Sequence, residues 1–92
     1  MPCLYIVKSR ERGRYYIGST ETVALRVAQH NEPSANPSRW TRRGAPWDLV
    51  YEREFGSKRE AIRAERYVKV MKSRAFIEKL VSGEYQLPDF KD

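Results

Sequence analysis

The first apolar runs along the chain are short and β-rich. Leu4–Lys8 ("LYIVK") is made of aromatic and β-branched types and predicts a strand. Tyr15–Gly18 ("YYIG") predicts a second. Ser9–Arg14 between them is charged and contains Gly13, so the pair reads as a β-hairpin closed by a short loop. The period then lengthens. Val23, Ala24, Val27 and Ala28 recur at three- and four-residue spacing, which predicts a helix over Glu21–Asn31 with these four as its buried stripe. Thr20 offers the capping hydroxyl, and Glu21 suits the first turn. Pro33 ends the helix, and Glu32–Pro46, with Pro33, Pro37 and Pro46, reads as a long loop.

Trp47–Phe55 ("WDLVYEREF") alternates apolar and polar residues and predicts a third strand. Ser57 and Glu60 then form the two halves of a capping box, opening a helix that runs to about Lys72. A further helix is expected over Ser73–Val81, stopped by Gly83. Pro88 and the charges after it predict a loosely held tail, so residues 1–82 form the expected domain and 83–92 its C-terminal tail. The order is β-β-α-β-α-α, an α+β fold of three strands covered by helices.

Composition narrows the choice of function. Ninety-two residues leave room for one domain. The longest apolar run, Cys3–Val7, falls far short of the roughly 20 residues of a membrane span, and the N-terminus lacks the pattern of a signal peptide. One cysteine cannot make an internal disulfide, and with one histidine it cannot build the usual zinc cage. The expected setting is therefore a reducing cytoplasm. Eighteen basic residues against twelve acidic leave a net charge of +6 and a pI near 9.7, a field that favours polyanions. Twelve of those bases are arginine, whose planar fork matches phosphate oxygens in pairs, so nucleic acid is the favoured partner.

Several residues do not fit a plain core. Glu65 shares a helix face with Ala61 and Val68, with Ile62 and Lys72 nearby on the wheel. A carboxylate set inward needs a cation. That cation is either an arginine in a structural ion pair or a divalent metal ion. Arg26 and His30 lie four apart at the border of the first helix's stripe. They are either a solvated edge or a phosphate-gripping arginine beside a residue that exchanges protons near neutral pH. Tyr5 and Tyr16 on the hairpin are either ordinary cross-strand stabilisers or paired phenols at a site. Arg39, Trp40, Arg42 and Arg43 interleave charge with an aromatic, as suits a nucleic-acid strand, although Trp40 could equally plug the core. Arg10, Arg12 and Arg14 read as a solvated turn.

Taken in order, "LYIV" at Leu4–Val7, "YIG" at Tyr16–Gly18, "LRVAQHN" and "AIRAERYVK" resemble the GIY-YIG signature over most of the chain. The "AQHN" and "EREFGSKREAIRAE" stretches are similar to small standalone bacterial proteins of that superfamily. They also resemble the catalytic domain of structure-specific junction nucleases. The resemblance implies a three-stranded antiparallel sheet flanked by helices and metal-dependent cleavage of phosphodiesters. With no separate DNA-binding domain expected, a preference for branched or single-stranded DNA in repair or processing is expected over reading of a long base sequence, and RNA is left open. It places Tyr5 and Tyr16 on the two signature tyrosines, Arg26 on the helix arginine, His30 on a position that is His or Tyr, and Glu65 on the metal-binding glutamate. Gly18 falls where a side chain would crowd the active surface. Glu65 would hold one Mg²⁺ or Mn²⁺, and Tyr5, its proton loosened by the cations, would activate water with His30 as relay or substitute base. Cys3 replaces the usual first glycine, and no Asn follows Asn36 where many relatives carry one past the glutamate. A non-catalytic nucleic-acid-binding module on the same fold is the alternative.

Overall fold

The computed structural model describes residues 1–31 and 46–90. Strands β1 (Cys3–Ser9) and β2 (Tyr15–Thr20) form the expected hairpin. Its turn is closed by Ser9 N–H to the Arg14 carbonyl at 2.7 Å and by Gly13 N–H to the Ser9 carbonyl at 2.9 Å. Gly13 has φ +67°, a conformation glycine adopts without strain. Arg10 is not merely solvated: it forks onto Asp48 at 2.7 and 3.2 Å. Helix α1 spans Val23–Asn31, strand β3 Trp47–Glu54, helix α2 Lys58–Met71 and helix α3 Arg74–Ser82. The sheet is antiparallel throughout, in the order β2-β1-β3. The α+β order β-β-α-β-α-α and the three-stranded antiparallel sheet flanked by helices are as expected.

The sheet has two covered faces. Leu4, Ile6, Phe55, Ala61, Ala64, Val68 and Leu80 form the larger core, under α2 and α3. Ala61 and Ala64 are small and fully buried, so α2 can lie close on the sheet. Tyr5, Val7 and Trp47 form a smaller cluster on the opposite face, packed by Val23 and Val27 of α1. A bulge in β3 decides which face each apolar residue serves. Ile6 pairs with Tyr51 and Val7 with Leu49, leaving Val50 as the extra residue. Val50 and Tyr51 therefore both serve the larger core, and Trp47 and Phe55 end on opposite faces. A strict alternation along "WDLVYEREF" would have put them together.

Three expectations need correction. First, α1 begins at Val23, not Glu21, because β2 runs on to Thr20, whose backbone pairs with Cys3. The Thr22 carbonyl accepts the Arg26 N–H instead. Second, the inward stripe of α1 is Val23, Val27 and His30, while Ala24 and Ala28 are exposed. Third, the described residues after α3 are docked through Leu87 and Phe90. Leu87 is 4% exposed, Arg53 donates to its carbonyl, and the Phe90 ring sits 6.1 Å from Phe55 and 5.5 Å from Tyr67. The capping residues perform as expected, with one shift. Ser57 Oγ accepts from Glu60 N–H at 3.2 Å, but the Glu60 carboxylate reaches back to Gly56 N–H rather than to Ser57. Ser73 caps α3, and Gly83 closes it at φ +88°.

Candidate active site

The site is built around an edge strand. β1 is central and β2 is at the border, with Tyr5 paired to Gly18. The Tyr5 ring lies across that glycine. A Cβ at position 18 would stand 2.7 Å from the phenol oxygen and 2.8 and 2.9 Å from two ring carbons. Tyr16 pairs with Val7 and so sits diagonally from Tyr5 on the same face, with ring centres 6.4 Å apart. From α1, His30 Nε2 comes within 2.8 Å of the Tyr5 hydroxyl, and its ring stands edge-on to Tyr16 at 4.9 Å. His30 is 6% exposed and belongs to the buried stripe, not to its solvated border.

Asn31 explains how α1 is held. Its side-chain amide donates to the Trp47 carbonyl at 2.9 Å and accepts the Trp47 N–H, so one side chain pairs with the start of β3 as a strand would. The sequence pattern did not mark Asn31 as special; a polar residue ending a helix is ordinary.

The electrostatics tie the remaining members in. Burial, and next the Tyr16 phenol, push the Tyr5 pKa well above 10; the Arg26 charge opposes this and the Glu65 charge adds to it. Burial first, and then Arg26, pull His30 below 6.5. Of the protein groups around Tyr5, desolvation outweighs Arg26, because a phenolate in an apolar cluster loses its hydration. At neutral pH the Tyr5–His30 contact joins a neutral phenol to a neutral imidazole.

Glu65 sits at the edge of α2's buried stripe, not in its middle. Its side chain is 22% exposed, and Ile62, its neighbour on the wheel, is exposed. Ser19 Oγ donates to Oε1 at 2.8 Å, and Lys69 Nζ pairs with Oε2 at 2.5 Å. The partner is thus a lysine one turn on, not an arginine. Ser19 and Lys69 were missed from sequence. The spacing of Glu65 and Lys69 was a readable signal for the ion pair. Ser19 follows Gly18 on β2 and so faces the other side of the sheet, toward α2.

Among the described residues no three His, Cys, Asp or Glu side chains gather as a metal cage. One half-buried carboxylate with a hydroxyl beside it is a hard oxygen donor set. Such a set suits a hard divalent cation, although Lys69 already occupies one of the carboxylate oxygens. Arg39, Trp40, Arg42 and Arg43 lie outside the described residues.

The model of the GIY-YIG catalytic domain matches residues 1–78. The chain belongs to the GIY-YIG family. That family is one of nucleases. A UPF0213 protein of Streptococcus pneumoniae is 39% identical over 66 residues, 72% of this chain and 64% of the relative, so the match spans less than two thirds of that protein's length. The mouse protein named structure-specific endonuclease subunit SLX1 is 44% identical over 48 residues, 51% of this chain and 18% of that protein. The solution NMR structure of the UPF0213 protein BH0048 from Bacillus halodurans superimposes with a TM-score of 0.54 at 37% identity, covering 89% of this chain and 84% of that one. This GIY-YIG fold therefore has a solved counterpart. Among the described residues, no helix is long and apolar enough to cross a membrane.

Proposed function

We propose that the protein is a divalent-metal-dependent endonuclease that hydrolyses DNA phosphodiester bonds, favouring branched or single-stranded DNA during repair or processing. One observation carries the reading. Residues from β1, β2 and α1 meet at the Tyr5 phenol: Gly18 makes room for its ring, His30 bonds its hydroxyl at 2.8 Å, and Tyr16 stands 6.4 Å away, ring centre to ring centre. Nothing about a hydrophobic core calls for that combination.

The roles follow from the chemistry of each group. Glu65, with Ser19 beside it, would hold one Mg²⁺ or Mn²⁺. When bound, the ion supplies positive charge that neutralises the scissile phosphate and the leaving oxygen. Arg26, exposed on α1, grips a non-bridging oxygen and stabilises charge that grows in the transition state. The attacking water gives its proton to the Tyr5 oxygen as Tyr5 gives its own to His30, whose lowered pKa keeps it ready as an acceptor at neutral pH. A phosphorus–oxygen bond to the water forms, the bond to the leaving oxygen breaks, and that oxygen takes a proton from solvent. Tyr16 positions the phosphate or the water through its contact with His30. His30 is thus the final base, and Tyr5 the path by which its proton arrives.

A second reading has one observation in its favour. Lys69 already neutralises the carboxylate that would hold the ion, as suits a module that binds nucleic acid without cutting it. Branched, nicked and single-stranded DNA incubated with Mn²⁺, with Mg²⁺ or with EDTA separates the two. The nuclease reading expects products only with metal. It also expects a loss of about 10²-fold or more in Glu65→Gln, the scale of removing one preorganised electrostatic group, with unchanged thermal melting. Salt-sensitive binding by the wild type without products in either metal would overturn it in favour of the module.

A further inference from the structure

Two surface hollows border α2 and meet near its C-terminal end. One, of about 330 Å³, holds Glu65 with Arg66 and Ile62. The other, of about 370 Å³, lies where the turn between α2 and α3 meets Arg14, Tyr15 and Ile17 of the hairpin. They share Lys69 and Lys72 as a common wall, so the second hollow continues the first. Among the described residues its lining contains four cations, Arg14, Lys69, Lys72 and Arg74, and no carboxylate. Its floor is different in kind: Tyr15, Ile17 and Ile77 are half-buried and present apolar surface. A basic wall over an apolar and aromatic floor suits a strand that offers both phosphates and bare base faces. A duplex offers the phosphates alone, because its base faces are stacked inside.

The backbone supplies an independent sign. Lys72 has φ +46° and ψ +40°, the only residue other than glycine with positive φ among those described. It occupies the helix-ending position that glycine fills most easily. A side chain with a Cβ is disfavoured in this conformation, so the lysine is held there at the expense of stability. What it brings in return is a charge at the meeting point of both hollows. Arg74 lines only the second hollow. It lies over the Tyr15 ring at 5.4 Å, and its pairing with Glu78 is loose, 3.6 Å between two exposed side chains.

We propose that a single nucleic-acid strand lies along these two hollows, its phosphates led from Glu65 past Lys72 to Arg74, with an unstacked base seated on Tyr15, Ile17 and Ile77. The proposal rests on the nuclease reading for the placement of the scissile phosphate at Glu65, and it names the substrate as one strand rather than two.

The test is binding in EDTA, which needs no cleavage. Fluorescein-labelled single-stranded and duplex DNA are titrated by anisotropy over a range of salt, with the wild type and with Lys72→Gly/Arg74→Gln. Lys72→Gly removes the charge while relaxing the backbone, so the melting temperature should hold or rise. Single-strand affinity should fall, and the log–log salt slope should become shallower by about 1.4, roughly 0.7 for each lost phosphate contact. Tyr15→Leu, which keeps an apolar floor but removes the ring, should weaken the single strand about five-fold or more without changing the slope. An unaltered affinity and slope in the double variant, or equal losses for duplex and single strand, would overturn the proposal. Metal-dependent cleavage by the wild type alongside such a result would leave the nuclease reading standing. Strand binding that responds as expected in a wild type that never cuts would do the reverse.

Discussion

Gly18→Ala is the substitution whose effect the structure sets most directly. The new methyl would meet the Tyr5 phenol at 2.7–2.9 Å, against the 3.4 Å at which ordinary contact begins. The phenol must therefore move by several tenths of an ångström, and it has little freedom to do so. Tyr5 is 2% exposed, enclosed by Val7, Trp47, Tyr16, Val23 and Val27 and bonded to His30. Overpacking of this kind typically costs about 1–3 kcal/mol. For a chain of this length each kcal/mol lowers the melting temperature by roughly 4–8 °C. The larger effect should be on cleavage, because a misplacement near 1 Å at a reacting group can cost about 10²-fold. Two assays are needed, thermal melting by circular dichroism and single-turnover cleavage of a branched DNA with Mn²⁺. A double-mutant cycle sharpens the result: Tyr5→Phe removes the atom in closest contact, so Gly18→Ala should cost less stability in that background. A Gly18→Ala protein that melts and cleaves like the wild type would refute the placement of Tyr5 across the strand.

Two further outcomes follow from the same structure. His30 is held below 6.5 by burial and Arg26, so near that pH the unfolded chain binds a proton that the folded chain does not. Stability should therefore be full above 6.5 and decline as pH falls through the folded value. Melting temperature from about pH 7.5 to about pH 5.5 should drop more steeply in the wild type than in His30→Gln, and parallel slopes would contradict a buried neutral imidazole. Leu87→Ala should cost about 2–5 kcal/mol in urea unfolding, the scale for a buried leucine. A change within about 0.5 kcal/mol would mean that the end of the chain is as loose as its composition implies.

What the sequence made legible was mostly local. The hairpin, the Ser57 cap, the Ser73 helix and the Gly83 stop each depend on residues within a turn of one another, so short-range chemistry decides them. The long-range features escaped. The bulge at Val50 comes from pairing between β1 and β3, and no period along β3 alone reveals that Trp47 and Phe55 part company. Whether His30 faces solvent depends on what β1 and β3 place opposite α1. For Glu65 the wheel identified the odd carboxylate but not its neighbours: Ser19 reaches it from 46 positions away, and Lys69 took the role expected of an arginine. The tail was misread because proline and charge were weighed above Leu87 and Phe90, which find partners only in the assembled core.

The Asn31 amide has a consequence for how such a domain can change over time. By gripping both the donor and the acceptor of Trp47, it brings the two borders of the 32–46 segment together at one point. The span between them is a closed excursion, and doubling its length would add only about 0.6 kcal/mol to the entropy of closure. His30 stands one position before that clasp. The aim of the imidazole at its phenol is therefore set by that clasp and not by the length of chain that joins its two halves.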